Sequence, residues 1–131
     1  MTNLRSEGLR REVADAQRKG DMGRLASLLD DAVNRAEVEE VAMLLDAGVS
    51  SGLRDVVGDT PLINAAWVGA PALVKLLLIR GADPNEQGAN GETALDRVRL
   101  IPQSQQRDDH RQVIALLEQA ASSPKGRPTK E

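Results

Sequence analysis

One stretch of this chain returns at a fixed spacing, and that spacing limits the folds open to it. Gly58-Asp59-Thr60-Pro61-Leu62 recurs as Gly91-Glu92-Thr93-Ala94-Leu95, an offset of 33 residues. Val41, Leu44, Leu45 and Gly48 recur at the same offset as Val74, Leu77, Leu78 and Gly81. Two separate blocks rarely share a phase by chance. A period of this length marks a stacked array, in which each module buries its apolar face against its neighbours.

The module has a physical logic. Thr60 before Pro61 is a helix start: the hydroxyl accepts from free backbone N–H groups, and proline at the first helical position gives up nothing. Leu62, Ala65 and Ala66 make a short helix with a narrow face, and Gly69 breaks it. A second helix, Leu73 to Ile79, presents Val74, Leu77 and Leu78 as one apolar stripe. Gly81 suits the left-handed residue that ends a helix. Asp83-Pro84-Asn85 and Gly88-Ala89-Asn90-Gly91 are dense in turn formers, with Asn90-Gly91 a tight-hairpin signal. The order is helix, turn, helix, hairpin-like loop.

These residues carry a resemblance. Gly58 to Gly69 (GDTPLINAAWVG) together with Val74 to Asn85 (VKLLLIRGADPN) resembles a complete ankyrin repeat, with Ile63 where the family usually has histidine. With neighbouring, weaker copies the likeness covers about 100 residues. It implies an all-α fold, an ankyrin-repeat solenoid of stacked antiparallel helix pairs with hairpin-like connecting loops. One period upstream, Ser27-Leu28-Leu29 and Ala32 fall at the Thr-Pro-Leu and alanine positions, and Ala36-Glu37-Val38-Glu39 at the inter-helix turn. In the third repeat, Pro102–Asp109 reads as an enlarged inter-helix loop before Val113, Ile114, Leu116 and Leu117. The expected organisation is a capping helix over 1–20, which Gly20-Asp21-Met22 makes similar to a degenerate half-repeat. Repeats over 21–54, 55–87 and 88–121 follow, then a disordered polar tail over 122–131.

Composition narrows the chemistry. The 131 residues suit one domain. Cysteine is absent and His110 is the sole histidine. Disulfides, thiolate chemistry and histidine-based catalytic or zinc clusters therefore lack material. Phenylalanine and tyrosine are absent too, and Trp67 is the one aromatic, so the core must be aliphatic. The charged N-terminus has neither a signal-peptide core nor a span, and a cytoplasmic protein is expected. Net charge is −3, but residues 21–60 hold nine acids against three bases, Arg24, Arg35 and Arg54. That excess is either a solvated helical face or an acidic surface for a basic partner.

No enzyme is visible. Asp30/Asp31 and Asp108/Asp109 are sequence neighbours, which diverge on a helix and make poor acid/base pairs. Gly88–Thr93 lacks the lysine and preceding strand of a phosphate loop. His110, between Asp109 and Arg111, is expected to face solvent. Neither a cofactor nor a metal is expected.

What remains is binding. In an ankyrin stack, hairpin tips and first helices line a concave side, so partner-facing residues are those the module does not need for packing. In the central repeat these are Val56, Val57, Asp59, Trp67 and Val68. The flanking repeats add Asn34 and Arg35, then Asn90, Glu92, Leu100 and Ile101. Exposed apolar groups with a tryptophan mark an interface; the alternative is that Trp67 folds over the adjoining repeat and completes the core. The expected function is a protein–protein interaction module, monomeric alone, that modulates its partner by occlusion as an adaptor or inhibitor. The resemblance to small stand-alone bacterial ankyrin-repeat proteins adds an immunity-type inhibitor of a toxin or lytic enzyme as an alternative. A second class is a weak nucleic-acid or anionic-ligand binder using Arg5, Arg10, Arg11, Arg18 and the tail residues Lys125, Arg127 and Lys130. An unrecognised hydrolase would need carboxylates converging on a pocket.

Overall fold

Helices follow one another wherever the apolar stripes and their caps predict them. The computed structural model describes residues 4–122, all helices and turns. In order these are α1 (Leu4–Lys19), α2 (Met22–Asn34), α3 (Val38–Asp46), α4 (Pro61–Val68), α5 (Pro71–Ile79), α6 (Ala94–Arg99), a 3₁₀ turn (Gln103–Gln105) and α7 (Asp108–Ser122). Helix α2 packs on α4 and α4 on α6, forming an inner row; α3 packs on α5 and α5 on α7, forming an outer row. Antiparallel pairs α2/α3, α4/α5 and α6/α7 join the rows, and α1 covers the free side of α2 and α3. The architecture is the helical solenoid the repeat implies.

Local chemistry sets the ends of the inner helices. Thr60 Oγ1 accepts from Ile63 N–H at 3.2 Å. One period later Thr93 and Asp96 cap each other reciprocally, each side chain accepting from the other's N–H at 3.1 Å. Gly69 closes α4 in the left-handed region, φ 80°. The matching position after α2 is Ala36, which takes φ 56° without being glycine. Between the rows, Val41, Leu44, Val74, Leu77, Val98 and Val113 are fully buried. Ala32, Ala65, Ala66 and Ala94 are buried as well, and their small side chains let the inner helices approach closely.

Four sequence expectations need correcting. Helix α2 starts at Met22 with Asp21 as its cap, accepting from Arg24 N–H at 3.0 Å, so Ser27 lies inside the helix rather than at its start. Helix α5 begins at Pro71, because proline tolerates the first helical position, not at Leu73. The segment after α6 is only partly loop, since its end forms the first turn of α7. Ser122 belongs to α7, and the remainder of the expected polar tail lies outside the described residues.

His110 is the largest surprise: it is buried, not solvent-facing. Its Nδ1 accepts from Arg107 N–H at 3.2 Å, which leaves the ring proton on Nε2, 3.4 Å from the carbonyl oxygen of Trp67. The Arg107 guanidinium donates to the carbonyl of Val68 at 2.9 Å. Together they occupy carbonyls that α4 leaves open at its C-terminus. A Cβ at Gly69 would lie 2.6 Å from His110 Nε2, so this backbone and ring are in close contact.

Candidate partner-binding site

The inner helices repeat at 33 residues, so each face of one helix is continued by the next. Asn34 on α2, Trp67 on α4 and Leu100 at the end of α6 share a phase, and all three are exposed, Trp67 by 51% and Leu100 by 60%. One turn toward the N-termini, Asn64 and Arg97 share a second phase. Beyond them the hairpin tip Asp55–Asp59 is closed by Asp55 N–H to the Asp59 carbonyl at 3.0 Å. Its copy closes in the same way, Gly88 N–H to Glu92 at 2.9 Å. Val56 and Val57 stand at the tip, 98% and 62% exposed. The face thus runs from apolar tip, through a polar band, to Trp67 and Leu100.

The polar band is connected across repeats. Asn34 donates to Asp30 at 3.2 Å. Asn64 Nδ2 donates to Asp30 of the preceding repeat at 3.1 Å and to Asp55 of its own tip at 2.9 Å. Asp55 Oδ1 also accepts the N–H groups of Val57 and Asp59, which holds the tip in shape. Asp59 in turn accepts Ala89 N–H at 3.1 Å and pairs with Arg97, both oxygens 3.3 Å from Nη2. Arg97 closes the band on Glu92 at 2.9 Å. Burial disfavours the Arg97 charge, but its bonds to Glu92 and Asp59 outweigh that and raise its pKa. Asp30 is also pushed up, by partial burial first and the Asp55 charge second, against the lowering bond from Asn34. Among the described residues no cluster of three or more metal-ligating side chains forms.

Residues 44–98 match the pattern of ankyrin repeats (many copies). Residues 44–98 are ankyrin repeats. It is 33% identical over 133 aligned positions to the E3 ubiquitin-protein ligase hecd-1 of Caenorhabditis elegans, across 86% of this chain but 5% of that protein. To the 2-5A-dependent ribonuclease of Mus musculus it is 41% identical over 51% of this chain and 9% of the relative. Cyclin-dependent kinase 4 inhibitor B of Bos taurus is 40% identical over 44% of this chain and 43% of its own length. The chain spans under a tenth of the first two relatives, so the likeness lies in their repeats. Ankyrin repeats are in general non-enzymatic modules for protein–protein interaction. No described helix is long and apolar enough to cross a membrane.

Within this ankyrin stack the candidate residues separate. Val56, Val57, Trp67, Leu100, Asn34 and Asn90 are exposed. Arg35 is exposed but committed to Asp31 at 3.0 Å and Glu40 at 3.2 Å. Val68 and Glu92 are half-buried, the latter held by Arg97. Two expectations are overturned. Asp59 is buried because it clasps the next repeat, and Ile101 is buried because the chain turns inward after α6 and packs it into the core. Sequence reasoning missed Asn64 and Asp30, the hub of the band, and undervalued Asp55 and Arg97. The 33-residue phase through Asn64 and Arg97 was the available signal. The cross-repeat bond to Asp30 left none.

Proposed function

We propose that this chain binds a partner protein through the concave face of its ankyrin stack and modulates it by covering part of its surface. The observation that carries the reading is the exposure of Trp67 and Leu100 in one row, with Val56 and Val57 at the neighbouring tip, on helices whose opposite sides are fully buried. Large apolar groups held open on a rigid scaffold are surface a partner gains by covering. Trp67 is the natural anchor, with Asn34 and Asn90 as polar rim. Occlusion is supported by the likeness to a relative named as a kinase inhibitor. Chain organisation is taken as a cap over 1–20 followed by three repeats. The protein is taken to act as a cytoplasmic monomer.

The test is affinity capture from the native cell extract with the wild-type chain, a Trp67→Ala/Val57→Asp variant, and Ile79→Asp as an outer-row control, since Ile79 is exposed on α5. The double variant is expected to lose partners that wild type and Ile79→Asp both retain. Identical partner sets from all three proteins refute the concave site.

A further inference from the structure

The concave face separates its acids into two kinds. Asp59 and Glu92 are paired with Arg97, and Asp31 with Arg35, which also reaches Glu40 of the outer row. Asp30 and Asp55 are held differently. Among the described residues neither makes an ion pair: Asp30 accepts from the neutral amides of Asn34 and Asn64, and Asp55 from Asn64 and the N–H groups of Val57 and Asp59. An amide satisfies hydrogen-bonding capacity but cancels no charge. Asp55 holds the N–H of Val57 at the tip, and Asn64, which joins the two carboxylates, lies one helical turn before Trp67.

We infer, on the footing of the concave-face reading above, that the partner offers this surface a basic side chain, arginine or lysine, flanked by apolar residues, which enters between Asp30 and Asp55 and lies along the face of Trp67. Three residues of helix rise about 4.5 Å, and helical side chains lean toward the N-terminus. The indole therefore stands one turn from the amide that joins the two carboxylates, on the side where the long stem of a basic side chain can lie against it. Apolar neighbours of that side chain meet Val57 at one end and Leu100 at the other. The alternation of apolar, acidic and apolar surface is matched by a segment of apolar, basic and apolar character. The raised pKa of Asp30 agrees: partial burial beside Asp55 disfavours its charge, a cost that an arriving cation relieves. A phosphate backbone meets repulsion at the same place.

The experiment uses a displayed library of random 12-residue peptides, selected on the immobilised full chain and counter-selected on its Trp67→Ala variant. Trp67-dependent binders are expected to be enriched in arginine or lysine next to apolar residues. They should bind Asp30→Asn about tenfold more weakly and weaken further as salt is raised. Asp30→Asn keeps the acceptor oxygen and the side-chain size, and its circular dichroism checks the fold; Asp55→Asn is the second variant. Trp67-dependent binders without basic enrichment, or indifferent to both acid variants, overturn the basic segment and leave the concave site standing. Absence of any Trp67-dependent binder overturns both. Trp67-dependent retention of a random single-stranded DNA pool, with no peptide selected, likewise refutes the inference.

Discussion

Ala36 stands where the next repeat uses Gly69, and both hold a left-handed backbone, φ 56° and 80°. For a residue with a Cβ that conformation costs about 1–2 kcal/mol. Ala36→Gly removes the cost but returns about 0.4–1 kcal/mol to the unfolded chain as backbone freedom. The Ala36 side chain is exposed, so no packing is lost. The net expectation is a gain of about 0.5–1 kcal/mol. Unfolding entropy of about 2.1 cal/mol/K per residue gives roughly 275 cal/mol/K for a chain this size, so Tm should rise by about 2–4 °C. Gly69→Ala is the mirror experiment. It adds the left-handed cost and brings a Cβ to 2.6 Å from His110, and should destabilise by more than about 2 kcal/mol. Urea unfolding followed by far-UV circular dichroism, compared at equal m-value, measures both. If Ala36→Gly is neutral or destabilising while Gly69→Ala is strongly destabilising, the two turns are not equivalent. The register of the first repeat then fails.

Three further outcomes follow from the same geometry. Trp67→Ala should cost no more than about 2 kcal/mol of stability, because the ring is half-exposed, whereas Leu77→Ala, fully buried, should cost about 3 kcal/mol; equal losses in urea melts would place the indole in the core. Arg97→Met strands buried Asp59 without its cation and should cost about 3 kcal/mol, part of which Asp59→Asn restores in the double variant; an additive double variant would refute the clasp between repeats. The Asp30 pKa is raised in the fold above its unfolded value near 3.8, so the folded state binds its proton more tightly. The ionised side chain therefore opposes folding at neutral pH, and that penalty fades as pH falls through the folded pKa. Asp30→Asn should be more stable than wild type at pH 7 and lose the advantage towards pH 4, as read from urea midpoints across pH; a constant difference would contradict the shift.

The fold was legible because its causes are local and periodic. Thr60-Pro61, the glycines after α3, α4 and α5 and the Val–Leu–Leu stripes specify a helix pair whatever surrounds them, and one spacing says how the pairs stack. Trp67 and the valine tip were legible for the same reason, as apolar groups with no packing duty. Asp59 and Ile101 were misjudged because their duty is to a residue in the next repeat or to a change of chain direction. Phase alone shows neither. His110 was misjudged because polar neighbours suggested solvent, while its acceptor nitrogen answers an N–H three residues back and its other nitrogen faces a helix end 43 residues away. Sequence distance of that size is invisible to pattern.

The two ways of holding acids on the concave face separate stability from recognition. A carboxylate that exists to join repeats is worth most when its cation is already present, and Asp59 with Arg97 meets that condition while buried. A carboxylate kept for a visitor must keep its charge uncompensated until the visitor arrives, which costs the free protein stability. Asp30 and Asp55, hydrogen-bonded by neutral donors alone near an exposed indole, fit the second description. The same substitution, Asp30→Asn, should therefore move the two properties in opposite directions, raising the stability of the free chain and lowering its affinity for a basic segment. A variant that raised both, or lowered both, would mean that this band of acids is framework after all.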